Sequence, residues 1–377
     1  MHQYLHGVDR VEELGAFFAN KRLGLLSNQT GVNSRLESTA DILNEKHRLT
    51  ALFAAEHGFR GIVPAGESVD GYIDKKTGVL VNSLFGKNDS GAFSGIDCFV
   101  VDIQDIGARF YTYIYTMAKA MTECAEHGIP VVVLDRFNPL GLTRTEGTLL
   151  DERFSSDVGM YELPGRHAMT IGEFARYINT EKRIGCELRV LPCRGLRRDM
   201  DYRDINIPWI MPSPNIPSWE TALCFTGTVL FEGTNVSEGR GTTKPFELIG
   251  APWLKADETA DIMNRKNLGG VIFRSTYFTP YFSKYKGEVC NAIQLHITDA
   301  DAFEPFKSGV ILLDTIRRLH SEFEFIKLNS KCEYFIDELF GKDDLRKKGF
   351  EPESFIESEK DKIEKFNKKT EKYRIYE

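Results

Sequence analysis

The chain has 377 residues, 48 basic against 55 acidic, a formal net charge of −7 and 42% hydrophobic residues. That length suits two domains of roughly 100–200 residues each. The mild acidity argues against nucleic acid as the main partner, because phosphate binding needs a basic face, and no apolar run reaches the ~18 residues that a membrane span needs.

The N-terminal MHQYLHGVDRVEEL is polar and charged. It lacks the basic and apolar regions of a signal peptide, so a cytoplasmic protein is expected, or an exported one if a leader has been removed. LGLLSNQTG (23–31) reads as a first strand, LESTADILNEK as a helix and LTALFAA as a second strand. DKKTGVLVNSLFG reads as a hairpin turning at Lys76, Thr77 and Gly78. CFVVDI is a third long strand, and YTMAKAMTECAEHG a helix stopped by Gly128. PVVVLD is a fourth strand. MTIGEFARYINTEK is a helix whose Thr170 and Glu173 form a capping box, and ELRVLPC is a fifth strand. Strands alternating with helices predict a parallel sheet with right-handed crossovers. No G-x-G-x-x-G follows the first strand, so a dinucleotide site has no support. The character changes near residue 225, which divides the chain into domains 1–224 and 225–377. The second opens with the Gly- and Thr-rich GTVLFEGTNVSEGRGTTKPFELIGAPW. GVIFRSTYFTPYF and CNAIQLHITD read as strands, with helices around 257–267 and 303–321. In the charged tail, Ile356, Ile363, Phe366 and Tyr373 fall at helical spacing, which predicts a solvated helix packed by one narrow face. The seven cysteines are odd in number and no pair is spaced CxxC, so buried reduced thiols are expected rather than a metal or redox site.

Three strand ends finish in acids: Glu56 in AAEHGFRG, Asp102 and Asp105 in VVDIQDIGARFYTY, and Asp135 in LDRFNP. Open α/β sheets bind ligands beyond the carboxyl ends of their strands. Four carboxylates gathered at one mouth with His57, Arg60, Gln104, Arg109 and Arg136 predict an enzyme. A general acid must hold its proton near neutral pH, and an apolar neighbourhood helps it do so. Glu56 follows Leu-Phe-Ala-Ala directly and is placed for that role; the competing reading is a turn cap or an ion pair with Arg60. His57 has no H-x-H or H-E-x-x-H partner, so a hydrogen-bonding role is preferred to metal ligation. Asp, Gln and Arg among Tyr111, Tyr113 and Tyr115 suit a sugar, whose C–H face stacks on rings while its hydroxyls meet polar groups. The competing reading is a structural Asp–Arg pair with core tyrosines, and it is preferred for Tyr115. LDRFNPLGLTRTEG adds Arg136, Asn138 and Glu146, with Pro139 fixing a turn. EGTNVSEGRGTT offers Glu232, Asn235, Glu238 and Arg240 as a second cleft wall, and glycines there permit close backbone approach. RHAMT contributes His167, and PSPN contributes Ser213 and Asn215, with Pro212 and Pro214 as candidate cis positions.

In order, NQTGV, AAEHGFRG, AGE, DIQDIGARFYTY, LDRFNPLG, LPGRHAMTIGE, PSPNIPS, EGTNVSEGRGTTKPFE, GAPW and FSKYKGE resemble the exo-β-N-acetylmuramidases of the NamZ type. The resemblance runs from about Leu23 to the C-terminal helix. Phe137 and Leu142 stand where Pro and Gly are usual, and no leader of the kind carried by secreted members is visible. The resemblance implies an α/β protein: a Rossmann-like N-terminal domain, a smaller α/β C-terminal domain, and a substrate cleft between them. It implies release of terminal N-acetylmuramic acid from the non-reducing end of peptidoglycan fragments, with a muramic-acid-containing glycan or muropeptide as partner; the lack of a metal-spaced His or Cys set and of a dinucleotide loop predicts no cofactor and no metal. Glycoside hydrolysis normally uses two carboxyl groups, ~5–5.5 Å apart for retention and ~6.5–9.5 Å for inversion; the 2-acetamido group of the sugar is an alternative internal nucleophile. Glu56 is expected as the acid and Asp102 or Asp105 as the second carboxylate, with Glu67, Glu146, Glu232 and Glu238 as substitutes. Among Arg60, Arg109, Arg136 and Arg240, the last is expected to read the lactyl carboxylate, because it is the freest to reach across the cleft. The competing functions are a metal-assisted phosphoesterase using Glu56, Asp102, Asp105 and His57 or His167, and a non-catalytic two-lobed sugar-binding protein.

Overall fold

The computed structural model describes residues 4–61, 71–84, 90–328 and 332–377. Glu67 lies outside them. The first half is built on a seven-stranded sheet of β1 (Arg22–Ser27), β2 (Arg48–Ala54), β3 (Tyr72–Ile73), β4 (Leu80–Ser83), β5 (Cys98–Asp102), β6 (Val131–Leu134) and β7 (Leu188–Leu191), in the order β3-β4-β2-β1-β5-β6-β7. All neighbours are parallel except β3 and β4, the hairpin expected around Thr77, which sits on one edge. Side chains alternate across a strand. In β5, Phe99 and Val101 join the core under one face, while Cys98 and Val100 join the core under the other. Both faces are therefore buried, which is why the strands read as unbroken apolar runs.

Helices α1 (Gly15–Phe18) and α2 (Thr39–Lys46) cover one face with the N-terminal segment; α3 (Tyr113–Glu126) and α4 (Ile171–Glu181) cover the other. Gly128, at φ +65°, ends α3. At the start of α4 the Thr170 hydroxyl accepts from the Glu173 amide at 3.1 Å, and Glu173 accepts from the Thr170 amide at 3.3 Å, completing the expected capping box.

Strand order reverses at β1, because β2 lies to one side and β5 to the other. Their adjoining ends, Ser27 and Asp102, are tied by a 2.6 Å bond from the Ser27 hydroxyl to the Asp102 carbonyl. This topological switch point is where an open α/β sheet opens a crevice.

Helix α5 (Trp219–Thr228) crosses the expected junction at 224/225 and leads into a 3-10 turn, Val229–Gly233. The second half has a three-stranded antiparallel sheet, β8 (Leu248–Ala251), β9 (Val271–Phe278) and β10 (Cys290–Ile297), in the order β8-β10-β9. Around it lie α6 (Ala256–Arg265), α7 (Pro305–Leu319), α8 (Phe335–Phe340) and α9 (Pro352–Thr370). Helices α5 and α7 meet backbone to backbone: a Cβ on Gly227 would lie 1.9 Å from the Pro305 carbonyl oxygen, and one on Gly309 would lie 2.4 Å from the Gly227 carbonyl oxygen. Only glycine permits that approach. In the tail, Phe366 and Tyr373 are buried, and Ile356 and Ile363 pack against the same core half-buried. All seven cysteines are buried, and Cys98, Cys124, Cys186, Cys193, Cys224 and Cys290 are free thiols. Every described peptide bond is trans, including those at Pro212 and Pro214. No helix among the described residues is long and apolar enough to cross a membrane.

Candidate active site

The carboxyl end of β2 runs into Glu56 and His57. His57 is a non-glycine residue at φ +72°, followed by Gly58 at φ +74°. This left-handed pair turns the chain sharply after the strand and leaves Glu56 half-buried at the mouth of a cleft. The Thr112 hydroxyl donates to Glu56 Oε2 at 2.9 Å. Tyr111 and Tyr113 form the adjoining wall, their rings edge to face at 4.7 Å, with the Tyr113 hydroxyl donating to the Pro212 carbonyl. Burial above all pushes both tyrosines up, so their hydroxyls stay protonated.

The opposite wall comes from the second half. Glu232 and Arg240 line the same cleft, with Phe225, Val229 and Phe246, and Ser213 and Asn215 close one end. The enclosed region holds about 100 Å³. Sequence-predicted residues Glu56, His57, Tyr111, Tyr113, Ser213, Asn215, Glu232 and Arg240 are thus brought together from both halves of the chain. Phe246, at φ +64°, is a second strained non-glycine residue on this wall, and such strain gathers at functional sites.

Arg240 is not free. Its Nη2 meets Glu232 Oε1 at 2.6 Å, and its Nε lies 3.0 Å from the same oxygen and 3.4 Å from Glu238 Oε1. Lys284 spends its ammonium on Glu238 Oε2 at 2.9 Å and on the carbonyls of Phe231 and Val236 at 2.8 and 3.0 Å. The Phe231 bond braces the 3-10 turn that carries Glu232. Glu232 is 19% exposed. Burial pushes its carboxyl up and Arg240 pulls it down, with burial prevailing. The field of Glu56 also reaches Arg240, so the guanidinium lies within electrostatic range of both cleft carboxyl groups.

The other predicted residues occupy different places. Asp102 is 0% exposed and bound to Arg136 through both oxygens, at 2.5 and 2.9 Å; Thr39 also donates to it. That pair closes the switch point from beneath. Gln104 donates to the carbonyls of Asp105 and Phe137 at 2.6 and 2.9 Å. Asp135 is buried and accepts from the amides of Arg136 and Gly172 and the hydroxyls of Thr170 and Tyr376. Asn138 caps its own turn through the Leu140 amide. Arg60 grips Asp74 at 2.9 and 2.8 Å rather than Glu56. Arg109 is fully buried and donates only to backbone carbonyls. Glu146 is paired with Arg166 at 2.9 Å and Arg144 at 3.3 Å. Asn235 ties down residues 322–324. Asp105 is intermediate. Its Oδ2 accepts from the Gly107 amide at 2.7 Å and meets His167 Nε2 at 3.2 Å. The Met169 amide donates to His167 Nδ1, so the ring proton is assigned to Nε2 and points at Asp105. Asp105 does not line the cleft, but its charge acts on Tyr111 and Tyr113 behind the wall.

Sequence reasoning missed Thr112, Phe225, Phe246 and Lys284. Thr112 carried a signal, since it lies between the two tyrosines of FYTY. The phenylalanines had none, because nothing local separates a cleft ring from a core ring.

Two family models cover the chain: "Exo-beta-N-acetylmuramidase NamZ, N-terminal" matches residues 23–220 and the corresponding C-terminal model matches 223–376. The chain is 46% identical over 365 residues to the peptidoglycan beta-N-acetylmuramidase NamZ of Bacillus subtilis (strain 168), covering 94% of this chain and 87% of that protein. Two DUF1343 family proteins of Bacteroides fragilis NCTC 9343 have similar solved structures. One has a TM-score of 0.88 at 31% identity, covering all of both chains. The other has a TM-score of 0.80 at 29% identity, covering all of this chain and 99% of that one.

Proposed function

The chain belongs to the NamZ family of exo-β-N-acetylmuramidases, and from that premise we propose how its cleft works. The protein is a glycosidase that releases terminal N-acetylmuramic acid from peptidoglycan fragments. Its two reacting carboxyl groups are Glu56 and Glu232. The observation that carries this reading is that one cleft receives Glu56 from the end of β2 and Glu232 from the second half, with Arg240 in range of both.

Glu56 donates its proton to the glycosidic oxygen as the C1–O bond breaks, so the leaving sugar departs as an alcohol. Thr112 holds one Glu56 oxygen and so fixes the carboxyl plane. Glu232, raised by burial, is a better base than an exposed carboxylate and takes the proton of the incoming water. Tyr111 offers ring surface to the pyranose, with Tyr113 packed behind it. Arg240 orients Glu232. The metal-assisted alternative finds no ligand set, since no group of three or more His, Cys, Asp or Glu among the described residues is placed to hold an ion. The acid is tested with Glu56→Gln. Turnover of unactivated disaccharide should nearly vanish, while muramosides with good aryl leaving groups, which need little protonation, should suffer far less. Equal loss on both substrate types moves the acid role elsewhere.

A further inference from the structure

Beyond the cleft, the largest unexplained feature is a pair of exposed aromatic side chains. Tyr281 is 87% exposed and Phe282 is 50% exposed, and they are adjacent in sequence. Their loop is not loosely held. The Tyr281 amide donates to the Gly241 carbonyl at 2.9 Å, Lys284 is fixed by its three acceptors, and the Tyr285 hydroxyl donates to the Asn235 carbonyl at 2.7 Å. Two non-glycine residues in it, Ser283 and Tyr285, are held at φ +71° and +57°. A loop fastened this firmly and strained this much presents its rings in a fixed place.

That place adjoins the segment that carries Arg240. A Cβ on Gly241 would lie 2.5 Å from the Phe282 carbonyl oxygen and 3.0 Å from the Tyr281 nitrogen, and the preceding residue, Arg240, lines the cleft. The rings inside, Tyr111 and Phe225, are available to the terminal sugar. Rings outside meet what projects from it.

Resting on the muramidase reading above, we propose that Tyr281 and Phe282 form the stacking surface for the sugar on the leaving side of the scissile bond, the N-acetylglucosamine joined to the terminal muramic acid, and for the glycan beyond it. A pyranose presents an apolar C–H face that packs on an aromatic ring, and a fixed platform loses little entropy when it is occupied.

The test is the double variant Tyr281→Ala/Phe282→Ala, assayed on β-muramosyl fluoride, whose leaving group is a single atom, and on the disaccharide and tetrasaccharide that begin with muramic acid. KM for both glycans should rise about tenfold, the scale of one lost ring–sugar contact of ~1.4 kcal/mol, while the fluoride should change by less than about twofold. Tyr281→Phe/Phe282→Tyr should behave as wild type. Equal loss on all three substrates makes the loop structural, and no change on any makes the rings idle; either result overturns the proposal. A wild-type enzyme inert on both fluoride and glycans instead overturns the muramidase reading itself.

Discussion

Arg109 decides between a binding and a structural reading of DIGARFYTY. Its guanidinium is 0% exposed, and it donates to the carbonyls of Thr148 at 2.7 Å, Leu163 at 3.0 Å and Leu339 at 2.7 Å. No carboxylate among the described residues shares it, and burial lowers it to about 10. Leu339 belongs to α8, so this one side chain joins the two halves, beside the Thr148 hydroxyl bond to the Phe340 carbonyl and the Asp151 amide bond to the Gly341 carbonyl at 3.0 Å. Arg109→Met leaves the Thr148 and Leu339 carbonyls without a donor, while Leu163 keeps the Leu150 amide at 3.2 Å. At ~1–3 kcal/mol each the loss is roughly 2–6 kcal/mol, and release from burying a charge offsets part of it. The net expectation is about 2 kcal/mol, a sizeable share of a typical ~5–15 kcal/mol. Urea unfolding followed by tryptophan fluorescence reads this as a lower midpoint. Under conditions where the variant is folded, kcat/KM should remain near wild type. An unchanged midpoint with abolished turnover would refute the structural reading and return Arg109 to the substrate.

Asp135 is raised from 3.8 to about 6, chiefly by burial. The folded state therefore binds its proton more tightly than the unfolded chain does. This contribution is full below pH ~4 and is lost as pH rises through about 6, a change of ~3 kcal/mol. Asp135→Asn should flatten stability between pH 4 and 6, since both hydroxyl partners can rotate to accept; urea midpoints at several pH values check it, and an unaltered slope would place the titration elsewhere. For Arg240, which pulls Glu232 down, Arg240→Met should move the acidic limb of kcat/KM to higher pH as well as slow the reaction. Arg240→Lys should restore part of the limb position, whereas a limb that stays put in both variants denies Arg240 the positioning role.

The first half was legible because both of its faces are buried. A strand such as CFVVD, apolar throughout, has few alternatives in an alternating α/β chain, and Thr170 with Glu173 announced its helix start through chemistry confined to four residues. Helix α5 and the turn Val229–Gly233 were less legible. Their sequence, WETALCFTGTVLFEG, is apolar on nearly every side because the helix is buried all round against α7, and a fully buried helix has no amphipathic period to detect. Gly227, which looks like loop composition, is there to let two helix backbones touch.

The site divides along a similar line. The end of β2 carries Glu56 to the cleft, two residues past Ala54. Acid at a strand end did not by itself mean acid at the reaction. Asp102 and Asp135 end their strands too, yet each is enclosed by donors that neighbouring strands and helices supply: Arg136 and Thr39 for Asp102, Gly172, Thr170 and Tyr376 for Asp135. Those donors lie from 34 to 241 positions away in sequence, so no local motif distinguishes the enclosed carboxylates from the one that lines the cleft. Glu232 shows the converse. It follows Phe231 in a turn with no strand to aim it, and its orientation depends on Arg240 and on Lys284 bracing the Phe231 carbonyl from fifty-three positions downstream. Asp102 and Asp135 are spent on structural bonds, whereas Glu56 and Glu232 line the cleft. That distinction is tertiary, and the Glu232→Gln enzyme tests it: if Glu232 is the base, that variant should lose turnover on aryl muramosides as fully as on disaccharide, because water attack is required for both, and retention of activity on either would return the role to Asp105.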